Sequence, residues 1–247
     1  MSYKNLKNGI SLLALFLTPI ILIKVLSNNK KEESSDAEIT NDLDSNSVNN
    51  NPENILIVGD SQSSIVNIQG RPIKYTYPNF LKPKLKDLGI QLDVLALGGK
   101  TTDWMRKSLA ERLKTNKYDR IIIYGGGNDT SNASIPLKTT LNNIQQMVDM
   151  SKKNGADAFV NLGYKIEGKF GDYRIIPLTK YLKKQEDWIP YIEKRKELQK
   201  LIPNAIKGAT IIPIYDLQSN TTDGIHPTQK GHKIVSDKIY ESIIKKY

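Results

Sequence analysis

The sequence ILIVGDSQSSI (residues 55–65) joins a short apolar run to a polar turn. Four consecutive aliphatic residues, three of them β-branched, are typical of a strand buried on both faces of a parallel sheet. Gly59 ends this run, and Asp60 and Ser61 follow it directly. In open α/β sheets, ligands bind beyond the carboxyl ends of the strands. The motif alone leaves two interpretations of Ser61 open: a nucleophile at the end of a strand, or a polar residue in a turn.

The rest of the chain decides the fold class, because apolar runs of strand length alternate with segments of helical periodicity. Strands are expected at 54–59, 91–97, 120–126, 157–163 and 209–217. Helices are expected at 77–89, 101–116, 134–155, 189–203 and 228–246. This alternation predicts a single three-layer α/β/α domain, in which helices cover both faces of a five-stranded parallel sheet.

Chemically useful residues follow four of the five expected strands. The segments are GDS (59–61), GGKT (98–101), GGGND (125–129) and DGIHP (223–227). The carboxyl ends of parallel strands meet at one edge of a sheet, so these segments should lie together. Between them they provide a hydroxyl, glycine amides, a carboxamide, a carboxylate and an imidazole. Those groups are the components of a serine acyl-transfer site.

In order and spacing, the four segments resemble the sequence blocks of the SGNH hydrolases, also called the GDSL family. The resemblance covers residues 54–247 and rests on GDSQ (59–62), GGKTT (98–102), GGND (126–129) and DGIHP. The chain departs from the family at Gln62, where the name-giving motif has leucine. The resemblance implies the flavodoxin-like SGNH hydrolase fold and a serine esterase.

The resemblance also gives a role to each of five residues. Ser61 would be the nucleophile, His226 the base that takes its proton, and Asp223 the carboxylate that orients the imidazole. The oxyanion would be held by the backbone amides of Ser61 and Gly99 and by the side-chain amide of Asn128. No metal ion or other cofactor is expected for this chemistry.

Other polar residues near these segments have simpler expected roles. Asp60 would accept hydrogen bonds from loop amides, and Asp129 would hold its own loop in place. Ser63 and Ser64 are expected at the start of a helix, as its N-cap and a helix residue. His232 is expected to be a surface or capping histidine. We therefore expect these side chains to support the site without reacting.

The composition of the chain excludes several kinds of reactive or metal-binding site. The chain has 247 residues, a net charge of +10, no cysteine and only two histidines. Disulfides, thiolate metal sites, a cysteine nucleophile and a lipidated cysteine are therefore excluded. Acidic residues slightly outnumber basic ones in the first 52 residues, so the excess positive charge lies beyond them. No nucleic-acid-binding module is recognisable in the sequence. An anionic envelope polymer or a membrane surface is therefore favoured as the partner of the basic domain.

The N-terminal 52 residues have a different composition from the rest. Residues 9–27 are apolar except for Lys24, and about 20 such residues can cross a bilayer as a helix. A signal anchor within 1–27 is favoured over a cleaved signal peptide, because Lys24 lies near the expected cleavage point and no Ala-x-Ala is present. Residues 28–52 are polar and are expected to be a disordered linker. The catalytic domain, 53–247, would then be membrane-anchored and extracytoplasmic, or secreted if the leader is cleaved.

The segment 164–188 is long for a connection between a strand and a helix, and it is rich in Lys, Arg and Tyr. Two interpretations stay open for it: a solvated basic loop, or an element that docks a substrate or a surface.

Together, these features predict a monomeric serine esterase that removes O-acetyl or similar short acyl groups from a cell-envelope or other carbohydrate polymer. A lipase or thioesterase of the same family is one alternative. A non-catalytic binding or structural module at a cell or virion surface is another.

Overall fold

The computed structural model describes residues 53–67, 69–165, 189–217, 220–221 and 225–244. The predicted N-terminal helix, the linker, Asp223 and most of the segment 164–188 lie outside the described residues. In the described part of the chain, no helix is both long enough and apolar enough to cross a membrane.

The sheet consists of β1 (Asn54–Gly59), β2 (Gln91–Ala96), β3 (Arg120–Tyr124), β4 (Asp157–Asn161) and β5 (Thr210–Ile212). All neighbouring strands are parallel, and their order is β2-β1-β3-β4-β5. β1 is paired on both sides, so its last residue, Gly59, lies opposite both Ala96 and Tyr124. The predicted five-stranded parallel sheet is confirmed, with the Gly-Asp-Ser turn leaving from one of its interior strands.

The helices in the described residues are α1 (Tyr77–Lys86), α2 (Thr102–Arg112), α3 (Gly127–Ser131), α4 (Leu137–Asn154), α5 (Ile189–Ala205) and α6 (Gln229–Ile244). Successive residues of a strand face opposite sides of a sheet. Ile55 and Ile57 accordingly join the core beneath α1 and α6, whereas Leu56 and Val58 join the core beneath α2 and α4. These four side chains have no exposed surface. The predicted three-layer architecture is therefore confirmed.

The fifth strand is shorter than the sequence predicts. A strand was expected over 209–217, but regular pairing ends at Ile212. Pro213 follows, and proline cannot donate a hydrogen bond to the ladder. Two residues later, Tyr215 pairs again with Tyr164 as an isolated bridge. The proline therefore interrupts the strand, but the segments that follow β4 and β5 stay side by side.

Several other predicted bounds extend too far, and one helix was not predicted. β2, β3 and β4 each end one or two residues early, because the glycine- and asparagine-containing segments that follow leave the sheet. α4 begins at Leu137, directly after Pro136. The five-residue helix α3 lies within the GGGND segment and is too short to show a hydrophobic period.

Core burial gives a first test of this fold. Leu85 in α1 has no exposed surface, whereas Leu88 in the following turn is 51% exposed. We expect Leu85→Ala to lower the free energy of unfolding by about 2–5 kcal/mol, because it leaves a cavity in the core. The matched variant Leu88→Ala should change it by less than about 0.5 kcal/mol. Urea denaturation measures both, and equal losses would contradict the packing of α1.

Candidate active site

Ser61 lies in a tight turn directly after β1. The turn is closed by a hydrogen bond of 3.1 Å from the backbone N–H of Ser63 to the carbonyl oxygen of Asp60. Gly59 is needed here, because a Cβ atom would clash with the Ser63 side chain and lie 2.9 Å from the carbonyl oxygen of Tyr124. The turn therefore holds Ser61 at the carboxyl edge of the sheet, where it is half-buried.

The Ser61 hydroxyl meets the imidazole of His226. The distance between Ser61 Oγ and His226 Nε2 is 3.1 Å, although the two residues are 165 positions apart in the chain. His226 is half-buried in the loop before α6, where Thr221 and Pro227 form an antiparallel bridge. This distance is that of a nucleophile hydrogen-bonded to its base. Asp223 lies outside the described residues, so its contact with His226 stays a prediction.

The buried side chain of Asp60 hydrogen-bonds to the turn that carries Ser61. One carboxylate oxygen accepts the backbone N–H of Gln62 at 2.9 Å, as expected of a structural acceptor. The other lies 3.4 Å from the side-chain nitrogen of Asn128. Burial raises the pKa of Asp60, while the Gln62 amide and the positive charge of Arg195 oppose that rise. The carboxylate therefore lies among several donors in a buried position.

Asn128 joins the first three predicted segments. Its side-chain nitrogen donates to the carbonyl oxygen of Lys100 at 2.9 Å and contacts Asp60 at 3.4 Å. Gly99, which precedes Lys100, is exposed and has a φ of 77°, a conformation that favours glycine. Both hydrogens of the Asn128 amide are thus directed at protein oxygens. Donation to a bound oxyanion would replace the longer contact with Asp60.

A side chain from a covering helix lies close to each of the three consecutive glycines in the GGGND segment. A Cβ atom on Gly125 would clash with Met105 of α2, and one on Gly126 would lie 2.8 Å from Leu198 of α5. Gly127 is approached by a third side chain, that of Arg195 in α5. The absence of side chains therefore lets two helices pack directly onto the loop that carries Asn128.

Arg195 is a buried residue of the site that sequence reasoning missed. Its side chain is 6% exposed, and a Cβ atom on Gly127 would lie 2.6 Å from the guanidinium nitrogen and 3.7 Å from an oxygen of Asp60. The guanidinium also lies 5.8 Å from the centre of the Tyr164 ring. Because arginine stays protonated, it places a fixed positive charge behind the Ser61 turn. Arg195 lies in α5 among apolar residues of the buried face, and no motif in the sequence marks it for this role.

Asp129 holds its loop, as predicted, and it also caps a helix. Its carboxylate accepts hydrogen bonds from the backbone N–H of Thr102 at 2.9 Å and from the Thr102 hydroxyl. Thr102 is the first residue of α2, so the cap comes from a distant loop. A cap that is supplied by tertiary structure leaves no local pattern in the sequence.

The expected roles of Ser63 and Ser64 were wrong, because no helix begins at these residues. Ser63 is in the turn, and its hydroxyl lies 2.8 Å from the hydroxyl of Tyr77. Ser64 donates to the carbonyl oxygen of Val66 and lies 3.3 Å from that of Ala96. Both hydroxyls therefore bind the turn to neighbouring elements.

His232 is a capping histidine, one of the two roles predicted for it. Its Nδ1 atom accepts the backbone N–H of Tyr77, the first residue of α1, at 3.2 Å. Burial, together with the nearby charge of His226, lowers the pKa of His232 to about 4. The ring is therefore neutral at pH 7 and available as an acceptor.

No metal centre is apparent in the described ranges, where no group of three or more His, Cys, Asp and Glu side chains could hold an ion. The groups that do meet are the Ser61 hydroxyl and the His226 imidazole, and Asn128 contacts Asp60, the residue before Ser61. This set is suited to acyl transfer by a serine nucleophile.

The family is shown by a comparison with known sequence families. Residues 57–234 match the GDSL-like lipase/acylhydrolase family. The chain belongs to this family. The predicted membership of the SGNH/GDSL hydrolases is confirmed, and so is the predicted enzyme class, a hydrolase of carboxylic esters. A comparison with curated proteins finds no match.

Solved structures with the same fold include two esterases and a GDSL-like lipase. The psychrotrophic esterase EstA from Pseudoalteromonas sp., inhibited by monoethylphosphonate, is 18% identical, with a TM-score of 0.55 over 78% of this chain and 97% of that chain. A catalytic mutant of Axe2, an acetylxylan esterase from Geobacillus stearothermophilus, is 16% identical, with a TM-score of 0.57 over 78% and 94%. A GDSL-like lipase from Bacteroides thetaiotaomicron is 17% identical, with a TM-score of 0.55 over 79% and 90%.

The cap on α1 gives this GDSL-family protein a specific dependence of stability on pH. Since the pKa of His232 is about 4 in the folded chain and about 6.5 in an unfolded one, the unfolded state binds more protons between these values. His232 contributes fully to the free energy of unfolding above pH ~6.5. As the pH falls towards 4, roughly 2–3 kcal/mol of that free energy is lost.

The variant His232→Asn keeps an acceptor near the Nδ1 position but does not titrate. Urea denaturation across pH 4–7 should therefore show that wild type loses more stability than the variant as the pH falls. Parallel curves for the two proteins would contradict the neutral cap.

Proposed function

We propose that Ser61, His226 and Asp223 form the catalytic triad of an esterase. The observation that supports this most directly is the distance of 3.1 Å between Ser61 Oγ and His226 Nε2 at the edge of the sheet. Asp223, three residues before His226 in the DGIHP segment, is assigned from the resemblance to the SGNH hydrolases.

In the proposed reaction, Ser61 Oγ attacks the carbonyl carbon of the ester while its proton passes to His226 Nε2. The tetrahedral intermediate collapses as the bond to the alcohol breaks, and His226 returns the proton to the leaving oxygen. Water then attacks the acyl-enzyme, with His226 again as base, and releases the acid and free Ser61. Asp223 would stabilise the imidazolium formed in each half-reaction.

The proposed oxyanion hole consists of the backbone N–H groups of Ser61 and Gly99 and the Asn128 side chain. Asn128 is already fixed by Lys100, so its amide is oriented before substrate arrives. Loss of one such donor lowers kcat by about 10²–10³-fold in serine hydrolases. Asn128→Ala should have an effect of this size.

The proposed substrate is an O-acetyl or similar short acyl ester on a cell-envelope or other carbohydrate polymer. One structural neighbour, Axe2, is an acetylxylan esterase, and the net charge of +10 suits an anionic polymer. Lipase or thioesterase activity of the same site is the alternative, and one neighbour is a GDSL-like lipase. Acetate release from O-acetylated polysaccharides and peptidoglycan, compared with hydrolysis of long-chain esters, separates the two.

We also propose that residues 9–27 anchor the domain in a membrane, with the catalytic domain extracytoplasmic and monomeric. Their apolar sequence supports the anchor. If they form an uncleaved anchor, the full chain should stay in the membrane fraction after an alkaline wash. A soluble product that lacks residues 1–27 by mass spectrometry would show cleavage and contradict the anchor.

The esterase proposal predicts that hydrolysis of p-nitrophenyl acetate depends on Ser61. Ser61→Ala should lower kcat by at least about 10³-fold, because it removes the nucleophile. Ser134→Ala, at an exposed serine in the turn between α3 and α4, is the control and should keep full activity. Equal rates for wild type and Ser61→Ala would contradict the proposal and favour a non-catalytic module.

A further inference from the structure

Gln62 is the residue at which this chain departs from the motif that names its family, and the structure gives its side chain a definite place. The side chain is 5% exposed. Its Nε2 donates to the carbonyl oxygen of Ile225 at 2.9 Å, and its Oε1 accepts the hydroxyl of Tyr164 at 3.2 Å. Both ends of the amide are thus hydrogen-bonded, as burial of a polar group requires.

The bond to Ile225 runs beside the contact between the two proposed catalytic side chains. Gln62 follows Ser61, and Ile225 precedes His226, so the two segments are joined at adjacent positions. The bond between Ser61 and His226 joins the two side chains, whereas the bond from Gln62 to Ile225 joins the backbone next to His226 to the residue after Ser61. This second bond therefore limits how far the His226 loop can move away from the Ser61 turn.

Tyr164 determines which way the amide of Gln62 points. The carbonyl oxygen of Ile225 can only accept, so Gln62 must present its NH2 group there and its oxygen to Tyr164, whose hydroxyl donates. Tyr164 is fully buried and is held by the bonds that join its neighbours to Tyr215. The carbonyl oxygen of Gly163 accepts the backbone N–H of Tyr215 at 3.1 Å. The backbone N–H of Lys165 donates to the carbonyl oxygen of Tyr215 at 2.9 Å. The amide is therefore oriented by a fixed part of the sheet edge.

A leucine at position 62 could fill similar space, but it would neither donate to Ile225 nor accept from Tyr164. We propose that Gln62 is a positioning residue, which holds the His226 loop against the Ser61 turn through Ile225 and is itself oriented by Tyr164. This inference rests on the proposed roles of Ser61 and His226.

The first test replaces Gln62 by methionine, which keeps the length of the side chain and removes both hydrogen bonds. With p-nitrophenyl acetate, we expect kcat to fall about 10–100-fold, because small displacements of a catalytic group have effects of that size, while KM changes less than about twofold. Gln62→Leu, which restores the family's residue, should behave in the same way. Unchanged kcat in both folded variants would overturn the proposal.

A matched control separates positioning from a loss of stability. Gln145 also uses both ends of its amide, donating to the carbonyl oxygen of Lys207 at 3.1 Å and accepting its backbone N–H at 2.8 Å. It lies in α4, outside the proposed site. Gln145→Met should lower the midpoint of urea unfolding and leave kcat unchanged. If it lowers kcat as much as Gln62→Met does, the effect at Gln62 is one of stability and the proposal is overturned.

The role of Tyr164 is tested by a double-mutant cycle. Tyr164→Phe removes the hydroxyl that binds Gln62 Oε1 and leaves the bond from Gln62 to Ile225 in place, so its loss in kcat should be smaller than that of Gln62→Met. In the double variant, Tyr164→Phe should add little to the effect of Gln62→Met, because its partner is already absent. Fully additive losses would overturn the orienting role of Tyr164.

Failure of this inference can be told from failure of the proposed function. If Ser61→Ala is inactive while Gln62→Met and Gln62→Leu are fully active, only the positioning role is wrong. If Ser61→Ala keeps the wild-type rate, the proposed catalytic function is wrong. Should Gln62→Met fail to fold, Gln62→Leu and Tyr164→Phe still supply the comparison of kcat with KM.

Discussion

The parallel pairing of β1 with both of its neighbours is the constraint on which the site depends. Gly59, Ala96 and Tyr124 lie side by side in the register of β2, β1 and β3, so the segments that follow these strands leave the sheet at one edge. Ser61 follows β1, Gly99 follows β2 and Asn128 follows β3. A shift in the pairing of β1 would separate these groups, whatever the loops themselves preferred.

Buried polar groups then fix the loops where the strands end. Asn128 binds Lys100 and approaches Asp60, while Asp129 binds Thr102. These bonds connect three segments that are distant in sequence, so each loop is held by its neighbours more than by its own conformational preference. Arg195 adds a positive charge behind Asp60, in a space that Gly127 leaves free. The loops that follow β1, β2 and β3 are thus joined to one another by hydrogen bonds between buried or half-buried groups.

Much of this could be predicted from the sequence because it depends on local patterns. β-branched runs showed where the strands lie, and the polar segments after them, with the family resemblance, indicated which residues meet. What could not be predicted depends on tertiary structure: the cap that Asp129 gives to α2, the burial of Arg195, and the partners of Gln62. The predicted fifth strand was too long, because pairing ends before Pro213 even though the apolar pattern continues through Ile214. Asp223 was assigned by the family resemblance, and its role stays a prediction.

The central claim is that Ser61, activated by His226, is the residue that forms the acyl-enzyme. The most direct test is to treat the full-length protein with a fluorophosphonate and to locate the modification by peptide mass spectrometry. We expect a single adduct on Ser61, absent from Ser61→Ala and formed much more slowly in His226→Ala. An adduct on another residue, or equal labelling of wild type and Ser61→Ala, would contradict it.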